Sequence, residues 1–168
     1  MNAWHDLGPK YITPDKFTAV IEIPEGSKKK YELDKRSGLL RLDRILHTAT
    51  HYPANYGFIP RTYADDLDPL DVLVLCSQVL DPLVEVECLP IGCIRMMDGG
   101  DYDDKIIAVP CFDPTYNSYI ELEQLPHHIT AEIANFFEIY KMLVHKTTAT
   151  NDVLNSAGAK EIIKKSME

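Results

Sequence analysis

Two short acidic segments contain the residues best suited to chemistry. The first is Asp66-Leu67-Asp68-Pro69-Leu70-Asp71, followed at once by Val72-Leu73-Val74. Alternate side chains of an extended segment point the same way, so Asp66 and Asp68 are expected to converge. Asp71 can join them only if the chain bends at Pro69–Leu70, and proline favours such a bend. Gathered carboxylates repel one another, and a hard divalent cation relieves that repulsion. A solvated acidic turn before a strand explains the spacing equally well.

The second segment is Asp98-Gly99-Gly100-Asp101-Tyr102-Asp103-Asp104-Lys105. Its two glycines allow a turn that could fold the carboxylates around a metal ion, although a charged hairpin tip is the simpler interpretation. The seven aspartates of the two segments, together with Asp65, carry eight of the negative charges that give the chain its net charge of −9. This balance repels a phosphate backbone and argues against nucleic-acid binding.

Several other site types fail on spacing. Neither acidic segment has the EF-hand pattern, because Leu70 and Lys105 occupy the fifth loop position. His47 and His51 have the separation of the HExxH zinc motif, but Thr48 stands where the glutamate belongs. The four cysteines form no CxxC pair, and no GxGxxG, GxxxxGK or GxSxG occurs. Reduced thiols and packing or surface histidines are the expected state.

Basic residues complete the pattern. Lys30, Arg44, Lys105 and Lys141 each lie beside an expected strand edge or helix end. Carboxylates hold magnesium, whereas lysine and arginine hold phosphoryl oxygens. Together with the two acidic segments, these cations suggest a pocket that holds both metal and phosphate.

The elements that must position these groups are mainly strands. Alternation and β-rich composition predict strands over 18–24, 30–33, 39–43, 72–75, 84–94 and 105–109, separated by proline-rich connections. Apolar residues at helical spacing then predict a helix from about Pro126 to Leu143 or Val144, and a shorter one over 157–167 with Ile162 and Ile163 buried. The expected fold is α+β and mainly β, a barrel core with flanking C-terminal helices.

Length and composition predict a single domain over residues 1–168. The longest uninterrupted aliphatic stretch, Val72 to Leu75, is too short to span a bilayer. Residues 1–6 show neither a basic nor an apolar signal region. The chain is therefore expected in the cytoplasm, with no membrane partner.

With these motifs in order, the sequence resembles the family I soluble inorganic pyrophosphatases. Their signature, Asp-x-Asp-Pro-x-Asp followed by aliphatic residues, is read here at 66–72. The resemblance runs from about Phe17 to about Leu143 and includes the segments 20–24, 30–32, 42–44, 52–57, 98–105 and 136–141. It implies a five-stranded OB-like barrel with the site at its mouth, a magnesium-dependent inorganic diphosphatase activity, and pyrophosphate as the substrate.

The resemblance also implies a role for each matching residue. Asp66, Asp71 and Asp103 would hold the tighter metal, and Glu22 and Asp98, with Asp103, would serve metals that arrive with the substrate. Asp68 would orient or deprotonate the attacking water, which the metals activate as hydroxide. The phosphoryl groups would be bound by Lys30, Arg44, Tyr56, Lys105, Tyr140 and Lys141. Glu32 and Tyr52 would stand in the surrounding shell.

Two departures from the family pattern stand out. Leu67 replaces a small or polar residue of the signature and is expected to point away from Asp66 and Asp68. The tail after Val144 lacks the usual Gly-Lys pair and late tryptophan. Resemblance to short prokaryotic forms implies a homo-oligomer, with a hexamer favoured, and Mn²⁺ or Zn²⁺ as substitutes for Mg²⁺. A non-catalytic cation buffer, an OB-type nucleic-acid binder and a nucleotide pyrophosphohydrolase are the alternatives.

Overall fold

The computed structural model describes residues 1–143 and 152–167, in which eight strands and two α-helices are arranged around a mainly β core. The strands are β1 (Phe17–Ile23), β2 (Lys29–Leu33), β3 (Leu40–Ile45), β4 (Asn55–Ile59), β5 (Leu70–Val74), β6 (Glu85–Asp98), β7 (Asp101–Pro110) and β8 (Asp152–Asn155). The helices are α1 (His127–Leu143) and α2 (Ser156–Ser166), with short 3₁₀ turns at Pro9–Tyr11 and Leu122–Gln124.

Five strands close into a ring. Their order is β1-β4-β5-β7-β6, and β6 pairs back onto β1 through Phe17↔Cys88 and the three residue pairs that follow. All neighbours are antiparallel except β5 and β7, which run parallel. The expected five-stranded, OB-like architecture is confirmed, although the ring is not an even barrel. β8 adds to the outer edge of β6, and β2 with β3 forms a separate hairpin.

Each predicted strand exists, with bounds that differ by a few residues, but two strands were missed. β4 is buried at all five positions and has a glycine at its centre, so it lacks the alternation that identifies a half-buried strand. β8 has only four residues. The β6–β7 turn at Gly99 and Gly100 lies where the sequence predicted a turn, and residues 34–38 form the turn of the β2–β3 hairpin.

The sheet has apolar side chains on both faces, so it carries two cores. Along β7, Ile107 and Val109 join a cluster that contains Phe136 and Phe137 of α1. Ile106 and Ala108 join a second cluster, which α2 covers with three apolar residues that include the predicted Ile162 and Ile163. The helices are thus fixed by burial of one face against opposite sides of the sheet.

The helix predictions are confirmed to within one residue at their starts. Pro126 directly precedes α1 rather than lying within its first turn. Val144 and the atypical segment 147–151 lie outside the described residues. Within the described ranges, no helix is long and apolar enough to cross a membrane.

A β-bulge in β1 depends on a glycine in β4. Ile21 pairs with Gly57 while Ile23 pairs with Tyr56, so Glu22 is an extra residue on the β1 side. The two backbones are close here, since a Cβ built on Gly57 would lie 1.9 Å from the carbonyl oxygen of Val20. Only glycine fits this position without moving a strand.

Candidate active site

One end of the ring opens into a polar cavity of about 210 Å³. Six parts of the chain supply its walls: the N-terminal segment, β1, the β2–β3 hairpin, β4 with the acidic segment before β5, the β6–β7 hairpin, and α1. The charged lining residues are Glu22, Lys30, Glu32, Lys35, Asp66, Asp68, Asp71, Asp98, Asp103, Lys105 and Lys141. Tyr52, Tyr56 and Tyr140 also line it. Thus all but one of the fourteen residues predicted for the site line one cavity.

A buried lysine lies at the centre of this cavity. Lys105 is 5% exposed, and its Nζ donates to Asp71 Oδ2 at 2.6 Å and to Asp103 Oδ1 at 2.9 Å. It also donates to the Tyr56 hydroxyl at 3.3 Å. Burial opposes the charged form, but Asp71, Tyr56 and Asp103 together raise the pKa of Lys105 well above its usual value. The ammonium therefore stays charged and binds carboxylates from two strands.

Lys141 of α1 reaches the same carboxylate from the opposite side. It is 4% exposed, and its Nζ lies 2.5 Å from Asp103 Oδ2 and 3.3 Å from Asp98 Oδ2. Burial alone would raise the pKa of Asp103, but Lys105 and Lys141 outweigh it and hold that pKa far below its usual range. Asp103 is consequently an anion that contacts two cations, Lys105 and Lys141.

The acidic segment is a turn, so the expectation that Asp66 and Asp68 converge through extended geometry is wrong. The Leu67 N–H donates to the Ala64 carbonyl, and the Ala64 N–H donates to the Asp68 carbonyl. Leu67 has φ +65° and is 71% exposed. The turn nevertheless brings Asp66 and Asp68 to the cavity, with Asp71 at the start of β5 beside them, and Leu67 points away from it as expected.

The bulge in β1 places Glu22 in the cavity although the side chain is only 7% exposed. Its Oε2 accepts from the Leu33 N–H at 2.8 Å. Burial raises the pKa of Glu22 to about 8, with further contributions from Asp71 and Glu32, while the Leu33 amide acts in the opposite direction. Glu22 is therefore an acid that a nearby cation would readily ionise.

Arg44 is the predicted site residue that does not line the cavity. It is exposed and lies opposite Lys30 in the β2–β3 hairpin. Asp43 is the extra residue of a bulge in β3, next to Arg44, and its carboxylate accepts from Lys30 Nζ at 2.8 Å and Arg44 Nε at 3.3 Å. No role was predicted for Asp43, because the bulge that places it beside Lys30 has no clear signal in the sequence.

The tyrosines form an aromatic wall. Tyr52 and Tyr56 have ring centroids 5.3 Å apart, and Phe136 and Phe137 of α1 pack against them. Burial raises the pKa of both tyrosines, so they remain neutral hydroxyl groups able to donate hydrogen bonds.

The second acidic segment is both a hairpin tip and a site component. Asp98 and Asp103 line the cavity, whereas Asp101 is exposed. Asp104 faces away and pairs with Arg95, whose Nε and Nη2 donate to its two oxygens at 2.9 and 3.0 Å. His47 and His51 are exposed and do not line the cavity.

The donor set fits a metal ion. Seven carboxylates and four lysines line the cavity, which leaves a formal excess of negative charge. Within residues 1–143 and 152–167, no group of three aspartate, glutamate, histidine or cysteine side chains is close enough together to bind one metal ion. Asp71 and Asp103 nevertheless both contact the Lys105 ammonium group. Oxygen ligands that converge on a common cation are those that Mg²⁺ and Mn²⁺ prefer.

Lys35 and Trp4 also line the cavity, although neither was predicted from the sequence as a site residue. Lys35 pairs with Asp68, and Trp4 of the N-terminal segment lies beside it. Neither belongs to an acidic or phosphate-binding pattern. Only the packing of the N-terminal segment against the acidic turn brings Trp4 to the cavity.

Comparison with known proteins agrees with this geometry. The family model described as inorganic pyrophosphatase matches residues 19–168. Soluble inorganic pyrophosphatase 2 of Chlamydomonas reinhardtii is 48% identical over 164 residues, which are 98% of this chain and 85% of that protein. Soluble inorganic pyrophosphatase 1 of Arabidopsis thaliana is 47% identical over 98% of this chain and 78% of its own length.

Solved structures show the same likeness. The inorganic pyrophosphatase of Thermus thermophilus superposes with a TM-score of 0.91 at 36% identity, covering 99% of this chain and 97% of that one. The match extends over the ring and both helices, and thus over every element that lines the cavity. The chain therefore belongs to the inorganic pyrophosphatase family.

Proposed function

We propose that this protein hydrolyses inorganic pyrophosphate to two orthophosphates in a metal-dependent reaction. The proposal rests on the cavity, which brings carboxylates from separate strands together with lysines from the β2–β3 hairpin, β7 and α1. A cavity of about 210 Å³ suits a small, highly charged anion. A cation buffer would have no use for the buried Lys105 and Lys141 among its carboxylates.

Mg²⁺ is the proposed cofactor, in several ions per site, with Mn²⁺ or Zn²⁺ as substitutes. Asp66, Asp71 and Asp103 would hold the tighter ion, and Asp98 and Glu22 would serve ions that accompany the substrate. Bound divalent ions neutralise phosphoryl charge and lower the pKa of water. In the structure, Asp71 and Asp103 both contact the Lys105 ammonium group. Two carboxylates that already meet at one positive charge support their assignment as ligands of one metal ion.

The cations and hydroxyl groups of the cavity are the proposed substrate-binding groups. Lys30, Lys105 and Lys141 supply charge, and Tyr56 and Tyr140 supply hydroxyl groups. Arg44 lies beside Lys30 and can reach an anion that projects from the cavity. These groups stabilise negative charge that develops on the departing phosphate. Glu32 and Tyr52 support them from the surrounding shell.

Asp68 is the proposed proton acceptor for the attacking water. It lies in the acidic turn among the carboxylates that would hold the metals, so a water bound there is within its reach. Lys35, rather than Lys105 or Lys141, neutralises it.

We further propose that the 1–168 chain acts as one domain in the cytoplasm, as a homo-oligomer with a hexamer favoured. We expect it to bind neither nucleic acid nor membrane, since its net charge of −9 repels anionic phosphate groups. Sedimentation analysis measures the assembly directly, and a monomer would refute the oligomer.

Phosphate release tests the function. The protein should release phosphate from pyrophosphate in Mg²⁺, and faster than from ATP or tripolyphosphate. Mn²⁺ and Zn²⁺ in parallel identify the preferred metal. Metal binding without phosphate release would instead indicate a cation buffer, and preference for ATP a nucleotide pyrophosphohydrolase.

The role of Asp68 has a separate test. Asp68→Ala should lose most turnover while the fold persists, because the proton acceptor is gone. Asp81→Ala is the matched control, since Asp81 is exposed and does not line the cavity. An Asp68→Ala variant with wild-type turnover would show the assignment to be wrong.

A further inference from the structure

We propose that Lys35 is a positioning residue that holds the Asp68 carboxylate in its working orientation, with Trp4 holding Lys35 in turn. The inference rests on the proposed function, in which Asp68 accepts the proton. Lys35 Nζ lies 2.6 Å from Asp68 Oδ1. The ion pair uses Oδ1 and leaves Oδ2 to accept a proton from water.

The backbone beneath Lys35 is fixed by the hairpin turn. Asp34 Oδ1 accepts from the N–H groups of Arg36 at 2.8 Å and Ser37 at 3.1 Å, and the Gly38 N–H donates to the Asp34 carbonyl at 2.8 Å. Lys35 therefore extends from a closed turn rather than from a free loop.

Trp4 fixes the other end of the Lys35 side chain. Lys35 Nζ stands 4.5 Å from the centroid of the Trp4 ring, a cation–π contact. The ring is buried, and its Nε1–H donates to the Thr62 carbonyl at 2.9 Å. The Thr62 hydroxyl in turn accepts from the Leu70 N–H at 2.9 Å. Trp4 is thus tied to the same segment that carries Asp68.

Asp68 needs such a partner, because its backbone is fixed but its side chain is not. The Asp68 N–H donates to Asp66 Oδ1 at 3.0 Å, and its carbonyl accepts from Ala64 at 2.8 Å. Its side chain is half exposed and can rotate about two bonds. A carboxylate spread over several rotamers would meet the attacking water only part of the time.

The other lysines of the cavity already have partners. Lys30 contacts Asp43, and Lys105 and Lys141 contact carboxylates of β5, β6 and β7. In the part of the chain that the structure describes, Lys35 is the lysine paired with Asp68. Both partners are about half exposed, so the pair contributes little to stability, and its main effect is on geometry.

Steady-state kinetics with Mg²⁺-pyrophosphate test the proposal. Lys35→Met keeps the apolar stem and removes the charge, and should lower kcat by about 3- to 10-fold because Asp68 loses its orientation. KM should change by less than about 2-fold, since the substrate contacts remain. Lys35→Arg should restore most of kcat. Lys16→Met is the matched control, because the Lys16–Glu87 pair has a similar length of 3.0 Å and similar exposure outside the cavity.

A double variant separates positioning from substrate binding. In an Asp68→Asn background, Lys35→Met should have almost no further effect on kcat, because the group it positions is gone. Independent, multiplicative losses would overturn the inference. So would a rise in KM with unchanged kcat, which would place Lys35 on the substrate instead.

Intrinsic fluorescence gives a readout without catalysis. Trp4 is the single tryptophan of the chain, so its emission should change in Lys35→Met but not in Lys16→Met, measured in chelator without substrate. Unchanged emission would refute the contact. A wild type that releases no phosphate from pyrophosphate refutes the proposed function itself, whereas an active wild type with an equally active Lys35→Met refutes only this inference.

Discussion

Gly57→Ala should both destabilise the protein and impair its site. The added Cβ would lie 1.9 Å from the Val20 carbonyl oxygen and 2.9 Å from the Ile21 Cα, both of them backbone atoms. Real Cβ contacts are rarely under 3.0 Å, so β1 and β4 would have to separate by roughly 1 Å. No side-chain rotation can relieve the clash.

The cost follows from that displacement. Overpacking typically costs about 1–3 kcal/mol, and a clash between two paired backbones belongs at the upper end, about 3 kcal/mol. In a protein of this size each kcal/mol lowers Tm by about 2–4 °C, which gives a loss of roughly 6–12 °C. The shift also moves the bulge that carries Glu22. A displacement of about 1 Å at a site residue can cost up to about 100-fold in rate, so kcat/KM should fall at least about 10-fold.

Urea unfolding followed by far-UV circular dichroism measures the stability, and phosphate release from pyrophosphate measures the activity. Gly8→Ala is the matched control, because its Cβ would meet only the Tyr11 ring at 3.5 Å, an ordinary contact, and its φ of −61° suits alanine. It should unfold within about 0.5 kcal/mol of wild type. If Gly57→Ala does the same, the tight approach of β1 and β4 is refuted.

Lys105→Met leaves two carboxylates without their shared cation, so the metal-free protein should lose about 3 kcal/mol of unfolding free energy, and Mg²⁺ should restore part of it. Urea unfolding in chelator and in Mg²⁺ checks this, and equal losses in both would contradict it. The lowered pKa of Asp103 predicts a stabilising contribution that is full above about pH 4, its unfolded pKa, and is lost as pH falls through the lower folded pKa. The stability difference between wild type and Asp103→Asn, measured in chelator from pH 3 to 7, should therefore shrink on acidification, and a constant difference would refute the linkage. Leu67→Asn should raise the unfolding free energy by about 1 kcal/mol, because asparagine tolerates the positive φ better than leucine. Thermal unfolding measures this gain, which a lower Tm would exclude.

The sequence predicted the composition of the cavity better than its local geometry. Aspartate spacing and the surrounding lysines indicated which groups gather, because charge and metal affinity depend on residue type. The turn at residues 64–68 was one of two interpretations that the spacing allowed, and the sequence did not favour it because a leucine in the left-handed region breaks the usual preference for glycine or asparagine. A sequence pattern indicates neither the extra residue of a bulge, such as Glu22 or Asp43, nor its partners.

Contacts between distant segments were also beyond sequence reasoning. Trp4 lies beside Lys35 only because its indole N–H and carbonyl bind the Arg61–Thr62 segment. β4 was missed because full burial removes the alternation that identifies a half-buried strand. Tertiary packing determines both the position of Trp4 and the formation of β4, and the local residue pattern predicts neither.

Pairing of β1 with β6 determines when the ring can fold during translation. Phe17 pairs with Cys88, roughly seventy residues away, so the ring cannot close until β6 has left the ribosome. Such distant pairings slow folding, since the entropy of a long loop is lost before its contacts form. Glu22 and Asp71 leave the ribosome before Asp103, and Lys141 follows all three. A nascent fragment that lacks β7 and α1 therefore lacks two of the charged groups that line the cavity, Asp103 and Lys141.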